Sequence, residues 1–206
     1  MKSTPKLLNP RGYLSASQIS LFKRSPEKYI QQYVHGESGF QNNRMEFGSK
    51  VALAMETEES DDELINMAMK LIPRYPKTEY EIRVPFKSQY GEVILLGKLD
   101  SFDPIGKRFR DLKTGTSKWT QGRANKLEQL THYASIIWLK YKKFPAEIWL
   151  DWAETEENEG EITLTGHIES FKVKKSVKDI LVYFASVGKV AKQINDLYLL
   201  ELKKLT

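Results

Sequence analysis

The sequence predicts an α+β fold, a central mixed β-sheet flanked by helices, with a mixed-sheet α/β arrangement as the alternative. Three observations carry this. The first third of the chain shows helix-start signals and no strand period. From residue 79 the apolar residues recur at every second position. A long amphipathic stretch then separates two further strand candidates, and another closes the chain.

Residues 14–34, "LSASQISLFKRSPEKYIQQYV", read as a helix, a break and a second helix. Ser15 and Gln18 have capping-box spacing, and Pro26 restarts the helix where a missing N–H is tolerated. "HGESGFQNN" follows as a glycine-rich loop. Helices are expected over 45–56 and 61–72, the second opened by "EESDDE", an acidic run that suits a solvated first turn.

"EYEIRVPF" (79–86) alternates, with Tyr80, Ile82 and Val84 on one face and Glu79, Glu81 and Arg83 on the other. "EVILLGKLDSF" is a largely apolar strand, "DPIG" (103–106) a turn, and "KRFRDLKTG" the returning strand. Leu127, Leu130, Ala134, Ile137, Trp138 and Tyr141 place one helix over 123–143. Strands at 146–154 and 161–173 precede a final helix over about 177–204. Ser176 and Asp179 open it with capping-box spacing, Gly188 is a candidate kink, and a broad apolar face suits packing across the sheet. No internal repeat or low-complexity linker interrupts the chain, so one domain over 1–206 is expected, with an N-terminal helical segment at 14–72.

A composition 40% apolar and 29% charged can bury a core. No run of about 18 apolar residues is present to span a membrane, and the opening "MKSTPKLLNPRGYL" has no secretory apolar stretch. A cytoplasmic protein is the expectation. The lack of any cysteine excludes disulfides, thiolate zinc sites, cysteine nucleophiles and cysteine-ligated iron–sulfur clusters. The net charge of +5 permits a polyanionic partner without requiring one.

The chemistry-bearing stretch is "FRDLKTG" (109–115). Asp111 and Lys113, two apart on a strand, project from the same side. If the hairpin turn is Ile105–Gly106, paired positions sum to 211 and Asp100 lies opposite Asp111; a four-residue loop gives a sum of 209 and keeps both on one face. Either register brings two carboxylates within about 5–8 Å. They repel unless a cation lies between them, and oxygen-only ligands select magnesium or manganese. A plain ion pair of Asp111 with Lys113 or Arg108 is the structural alternative, yet Asp100 follows the apolar run "VILLG", where a lone charge is costly. On the next helix Gln129 and Tyr133 are an i, i+4 pair.

In order and spacing these segments resemble the PD-(D/E)XK nuclease superfamily, specifically its RecB-like branch. That branch includes the RecB and AddB nuclease domains and the CRISPR-associated RecB-like exonucleases. The resemblance covers about two thirds of the chain, through "LSASQISLFKRSPEKYIQQYV", "FGSKVALAME", "EIRVPF", "LLGKLDSFDP", "RDLKTG" and "QLTHYA", the last matching a Q-x-x-x-Y motif. It implies a restriction-endonuclease-like fold and a Mg²⁺- or Mn²⁺-dependent deoxyribonuclease, an exonuclease in DNA repair or recombination. Single strands or duplex ends would be its substrate, and a helicase or recombination protein a partner. Asp100 and Asp111 would bind metal, with the Leu112 carbonyl as a third oxygen and Glu56 and Glu81 as further candidates. Lys113 would hold or deprotonate the attacking water, and Gln129 and Tyr133 would position the backbone or the lysine.

Two positions depart from the pattern. Where relatives carry a histidine ligand, in G-x-x-x-H-x-x-x-E, this chain has Ala52, four residues before Glu56. Where many have a cysteine before Pro26, it has Ser25, so no iron–sulfur cluster is expected. The Ala52 departure keeps open a catalytically silent nuclease-like module for DNA binding or assembly. Beyond the motifs, Lys118, Trp119 and Arg123 are candidate nucleic-acid contacts, with Trp119 either a base stacker or a core anchor. His132, beside Tyr133, reads as a surface or core histidine.

Overall fold

The computed structural model describes residues 4–37, 39 and 42–204, so the expected glycine-rich loop at 35–43 lies partly outside the described residues. A short strand β1 (Leu14–Ser15) leads into helices α1 (Ala16–Arg24) and α2 (Pro26–Tyr33), then α3 (Asn43–Thr57) and α4 (Glu63–Leu71). Three strands follow, β2 (Lys77–Ser88), β3 (Gly91–Asp103) and β4 (Arg108–Gly115). Helices α5 (Gln121–Lys126) and α6 (Glu128–Tyr141), strands β5 (Glu147–Asn158) and β6 (Glu161–Lys172), and helix α7 (Val177–Lys204) complete the chain.

The helix starts follow local chemistry. Ser15 Oγ caps α1 by accepting from Gln18 N, but the Gln18 side chain turns inward, where its Oε1 accepts from the Tyr29 hydroxyl at 3.4 Å. Ser25 caps α2 with Pro26 at its first position, and Asp62 accepts from the Leu64 and Ile65 N–H groups to start α4. Ser176 and Asp179 form a reciprocal capping box at α7.

The six strands make one mixed sheet, and the architecture is α+β, as expected from the order of elements. β3 is antiparallel to β2 along its length and to β4 over Ser101–Asp103, and parallel to β1 at Leu95 and Leu96. β4 and β5 run parallel, joined by α5 and α6 as the crossover, and β6 closes the far edge antiparallel. A main core fills one face, where α1, α2, α6 and α7 pack on the strands. A smaller cluster on the other face joins Val51 and Ala54 of α3 to Ile65 and Ala68 of α4, Ala153 and Leu164.

One helix was expected over 123–143, and the structure divides it. Leu127 takes an extended backbone (φ −62°, ψ 115°) between α5 and α6, and the Lys175 ammonium donates to the Asn125 and Leu127 carbonyls that the break frees. Gly188 lies within the continuous span of α7 where the helix meets the β2–β3 turn; a Cβ there would stand 2.8 Å from the Ser88 Cβ.

His132 is fully buried on α6. Its Nε2 lies 2.8 Å from the Leu96 carbonyl, which can only accept, so Nε2 carries the proton and Nδ1 accepts from the Tyr183 hydroxyl at 2.5 Å. Burial pushes its pKa down to about 4, against the opposing pull of Leu96 and Glu128. The unfolded chain would take up a proton near pH 6.5, so this contribution to stability is complete above that pH. It is lost as pH falls from 6.5 to 4, up to about 3 kcal/mol. Urea unfolding at pH 7, 5.5 and 4.5 will show the loss in the wild type and a flattened dependence in His132→Gln. Equal slopes in the two proteins would exclude His132 as the cause.

Candidate active site

The site begins at an interrupted strand edge. One edge of β3 is shared, β1 taking Leu95 and Leu96 and β4 taking residues from Ser101 onward. Paired β3–β4 positions sum to 211, one of the two expected registers, and the ladder stops one step short of Asp100 and Asp111. Where the strands part, the Asp100 carboxylate accepts the Leu112 N–H at 2.7 Å in place of a backbone carbonyl.

Side-chain alternation along β4 then sets the faces. Phe109 meets the Tyr133 ring of α6 edge-on, with centroids 5.9 Å apart, and Asp111 shares that side. Arg110 and Leu112 point the other way, toward Asp151 and the α3–α4 cluster. Asp111 is fully buried, and its Oδ2 lies 2.8 Å from the Lys113 ammonium, whose side chain is 28% exposed. Among the described residues neither Asp111 oxygen has a well-aligned hydrogen bond, so this ion contact is all that offsets its desolvation.

The three charges hold one another away from their ordinary values. Burial first, then the Asp111 charge, pushes the Asp100 pKa up to about 7, beyond what Lys113 and the Leu112 N–H offset. Burial also raises Asp111 despite Lys113. Burial pulls Lys113 down, but Asp111 and Asp100 outweigh it and hold the ammonium above its usual range.

Asp100, Leu112 and Lys113 line a cleft of about 450 Å³, across from Ala52 and Glu56 of α3. A second cavity of about 260 Å³ shares Arg44, Lys113 and Thr114 with it and extends to Trp119 and Arg123. Lys113 therefore stands at the junction of the two. Gly48 brings α3 against β4 here, since a Cβ on it would lie 3.2 Å from the Thr114 hydroxyl.

Gln129 donates to the Tyr133 hydroxyl at 2.8 Å. Burial and then the Asp111 charge raise the phenol's pKa, which puts Tyr133 within electrostatic reach of the acids; Gln129 does not line the cleft. Glu81 is 48% exposed, ion-paired with Arg83 at 2.7 Å, and also lies outside the cleft. The acid of β2 that does line it is Glu79, which sequence reasoning placed on the same face and did not single out. Counting residues across the β2–β3 hairpin, whose pairs sum to 179, sets Glu79 opposite Asp100 and was the available signal. Trp119 packs as a core anchor at 8% exposure, with the Arg123 guanidinium 3.9 Å over its ring, which leaves little face for a base. Lys118 and Arg123 are exposed, and Arg123 also donates to the Ser117 and Lys118 carbonyls.

Among the described residues no group of three or more His, Cys, Asp or Glu side chains is arranged to hold a metal ion. The oxygen donors nearest to such a role are the two aspartates and the Leu112 backbone carbonyl. No helix among the described residues is long and apolar enough to cross a membrane.

No protein-family model and no curated protein matches the chain. Among solved structures, that of the protein SSO0001 is similar over 87% of this chain and 75% of its own, with a TM-score of 0.51 and 11% identity. A phage-related exonuclease from Haemophilus somnus 129PT is similar over 90% and 81%, with a TM-score of 0.40 and 12% identity. At these identities the likeness to SSO0001 concerns the fold alone. The mixed six-stranded sheet flanked by helices is consistent with a restriction-endonuclease-like fold.

Proposed function

We propose that this protein is a metal-dependent nuclease of the RecB-like branch, an exonuclease cleaving DNA phosphodiester bonds at single strands or duplex ends. The observation that carries this reading is the fully buried Asp111 carboxylate, without an aligned hydrogen bond and held against Lys113, which lines a cleft together with Asp100 although Asp111 itself does not. Two carboxylates that burial disfavours as anions, Asp100 further by the charge of Asp111 and Asp111 by that of Asp151, fit a hard divalent cation, and donors that are all oxygen suit Mg²⁺ or Mn²⁺ over zinc. Bound there, the cation would supply a water of lowered pKa and Lewis-acid stabilisation of the phosphate.

The chain's own groups do the rest. Lys113, kept cationic by Asp111 and Asp100, directs its free N–H donors toward the cleft to orient the attacking water and to offset charge building on the phosphate. The Asp100 carboxylate is aimed by its bond from Leu112 N–H. Tyr133, buried, held by Gln129 and edge-on to Phe109, lies within electrostatic reach of Asp111. In the second cavity Arg123 would take a neighbouring phosphate, with Thr116 and Ser117 lining the path between, and the exposed Lys118 outside the cavity would take another. A helicase or recombination protein would present the DNA.

End-labelled single- and double-stranded DNA incubated with the protein and Mg²⁺ or Mn²⁺ should be shortened from its ends, and EDTA should stop the reaction. Intact labelled DNA under all of these conditions would overturn the reading. The second reading is a silent DNA-binding or assembly module, favoured by Ala52, which faces the cleft where a ligand would otherwise stand. Calorimetric titration separates the two, because a silent module would ignore millimolar Mn²⁺ even with DNA present.

A further inference from the structure

The backbone of β2 is regular except at Glu79, whose φ of +47° is a left-handed value rare for any residue but glycine. The flanking pairs Thr78↔Ser101 and Tyr80↔Leu99 are made, and Glu79 is omitted from the ladder although it stands across from Asp100. Such strain persists only where its surroundings over-determine it, and glycine or asparagine would adopt the same backbone more easily. The distortion turns the Glu79 side chain, 18% exposed, into the cleft beside Asp100 and Lys113. Its ion partner Lys98 is 57% exposed and anchors it from the solvent side. The Glu79 charge also bears on both Asp100 and Tyr133.

Resting on the nuclease reading, we infer that Glu79 is a positioning residue for the divalent cation, accepting hydrogen bonds from the cation's retained waters and supplying a third negative charge to a site with two aspartates. Magnesium is commonly held by one or two carboxylates and keeps several waters, so an acid one shell out is where an additional carboxylate has work to do. Independently, the Asp111 carboxylate is buried without an aligned hydrogen bond and contacts Lys113, which lines the same cleft as Glu79. Glu81, two residues on and paired with Arg83, has no such role.

The test is calorimetric Mn²⁺ titration of the full chain without DNA, for the wild type, Glu79→Gln, Glu79→Asp and Glu81→Gln, with melting of each metal-free protein. Glu79→Gln should weaken Mn²⁺ binding about 10- to 100-fold with its metal-free melting temperature maintained. Glu79→Asp should recover part of that affinity, and Glu81→Gln should bind as the wild type does. Wild-type affinity in Glu79→Gln, with the wild type binding normally, would overturn this role and leave the nuclease reading standing. Failure of the wild type itself to bind Mn²⁺ would overturn both.

Discussion

Lys113→Ala and Asp111→Ala should each lower Mg²⁺- or Mn²⁺-dependent DNA degradation about a thousandfold, the scale seen when one preorganised charge is removed from a reacting centre. The geometry explains why two such different side chains should cost alike. Asp111 is a buried carboxylate with only the ammonium 2.8 Å away to compensate it, and Lys113 is cationic because Asp111 and Asp100 keep it so. Removing either leaves the other uncompensated, and their losses should not add in the double variant. Neither change should unfold the protein, though Lys113→Ala should lower its stability, since the stranded Asp111 carboxyl is left to take up a proton. Without Asp111 the fold loses a carboxylate that burial disfavours, and Lys113, already 28% exposed, can turn to solvent. Lys113→Arg should not restore the rate, because a planar guanidinium cannot take the place of a compact ammonium between two acids. Initial rates on end-labelled DNA, with circular dichroism to check folding, decide the matter. Activity within tenfold of wild type in either variant would remove these residues from the chemistry.

The largest effect on stability is expected at the neighbouring residue. Arg110 sends Nε and one terminal nitrogen to the two oxygens of Asp151 at 2.8 and 2.6 Å, with the side chains 8% and 1% exposed. Ser170 donates to the same carboxylate at 2.5 Å, and the guanidinium lies over Trp149. Breaking such a pair by removing one partner strands a buried charge, which costs about 3–5 kcal/mol. Asp151→Ala should therefore lower the melting temperature by roughly 10 °C or more in a chain of this size. The exposed Lys172–Glu147 pair is the control, since Lys172→Ala should change stability by less than about 1 kcal/mol. Urea denaturation of the three proteins measures this, and a loss below about 1 kcal/mol for Asp151→Ala would show the pair to be dispensable. The pair also bears on the site, because Arg110 holds β4 to β5 and β6 from the face opposite Asp111.

Much of the architecture was legible because it is set by neighbours in sequence. Alternation marked the strands, Pro26 and the Ser176–Asp179 box marked helix starts, and the turn signal near 103–106 put Asp100 and Asp111 on one face in either of two registers, of which the structure takes the one summing to 211. Features that depend on distant groups were not. The helix break at Leu127 is accommodated by a lysine 48 residues further on. His132 is buried because Leu96 and Tyr183 both find it, and Trp119 anchors the core once Arg123 has covered its ring. The choice of Glu79 over Glu81 follows from a backbone distortion that alternation cannot foresee.

Local sequence by itself determined the order of helices and strands, the shared face of Asp100 and Asp111 across the hairpin and the placement of Asp111 and Lys113 on one side of a strand. Only the tertiary structure decided that β1 and β4 share one edge of β3 and leave it unpaired between them, so that the strands part at Asp100. The physical reason is that hydrogen-bond ladders end where another segment of the chain arrives, and the segment arriving here lies some eighty residues earlier.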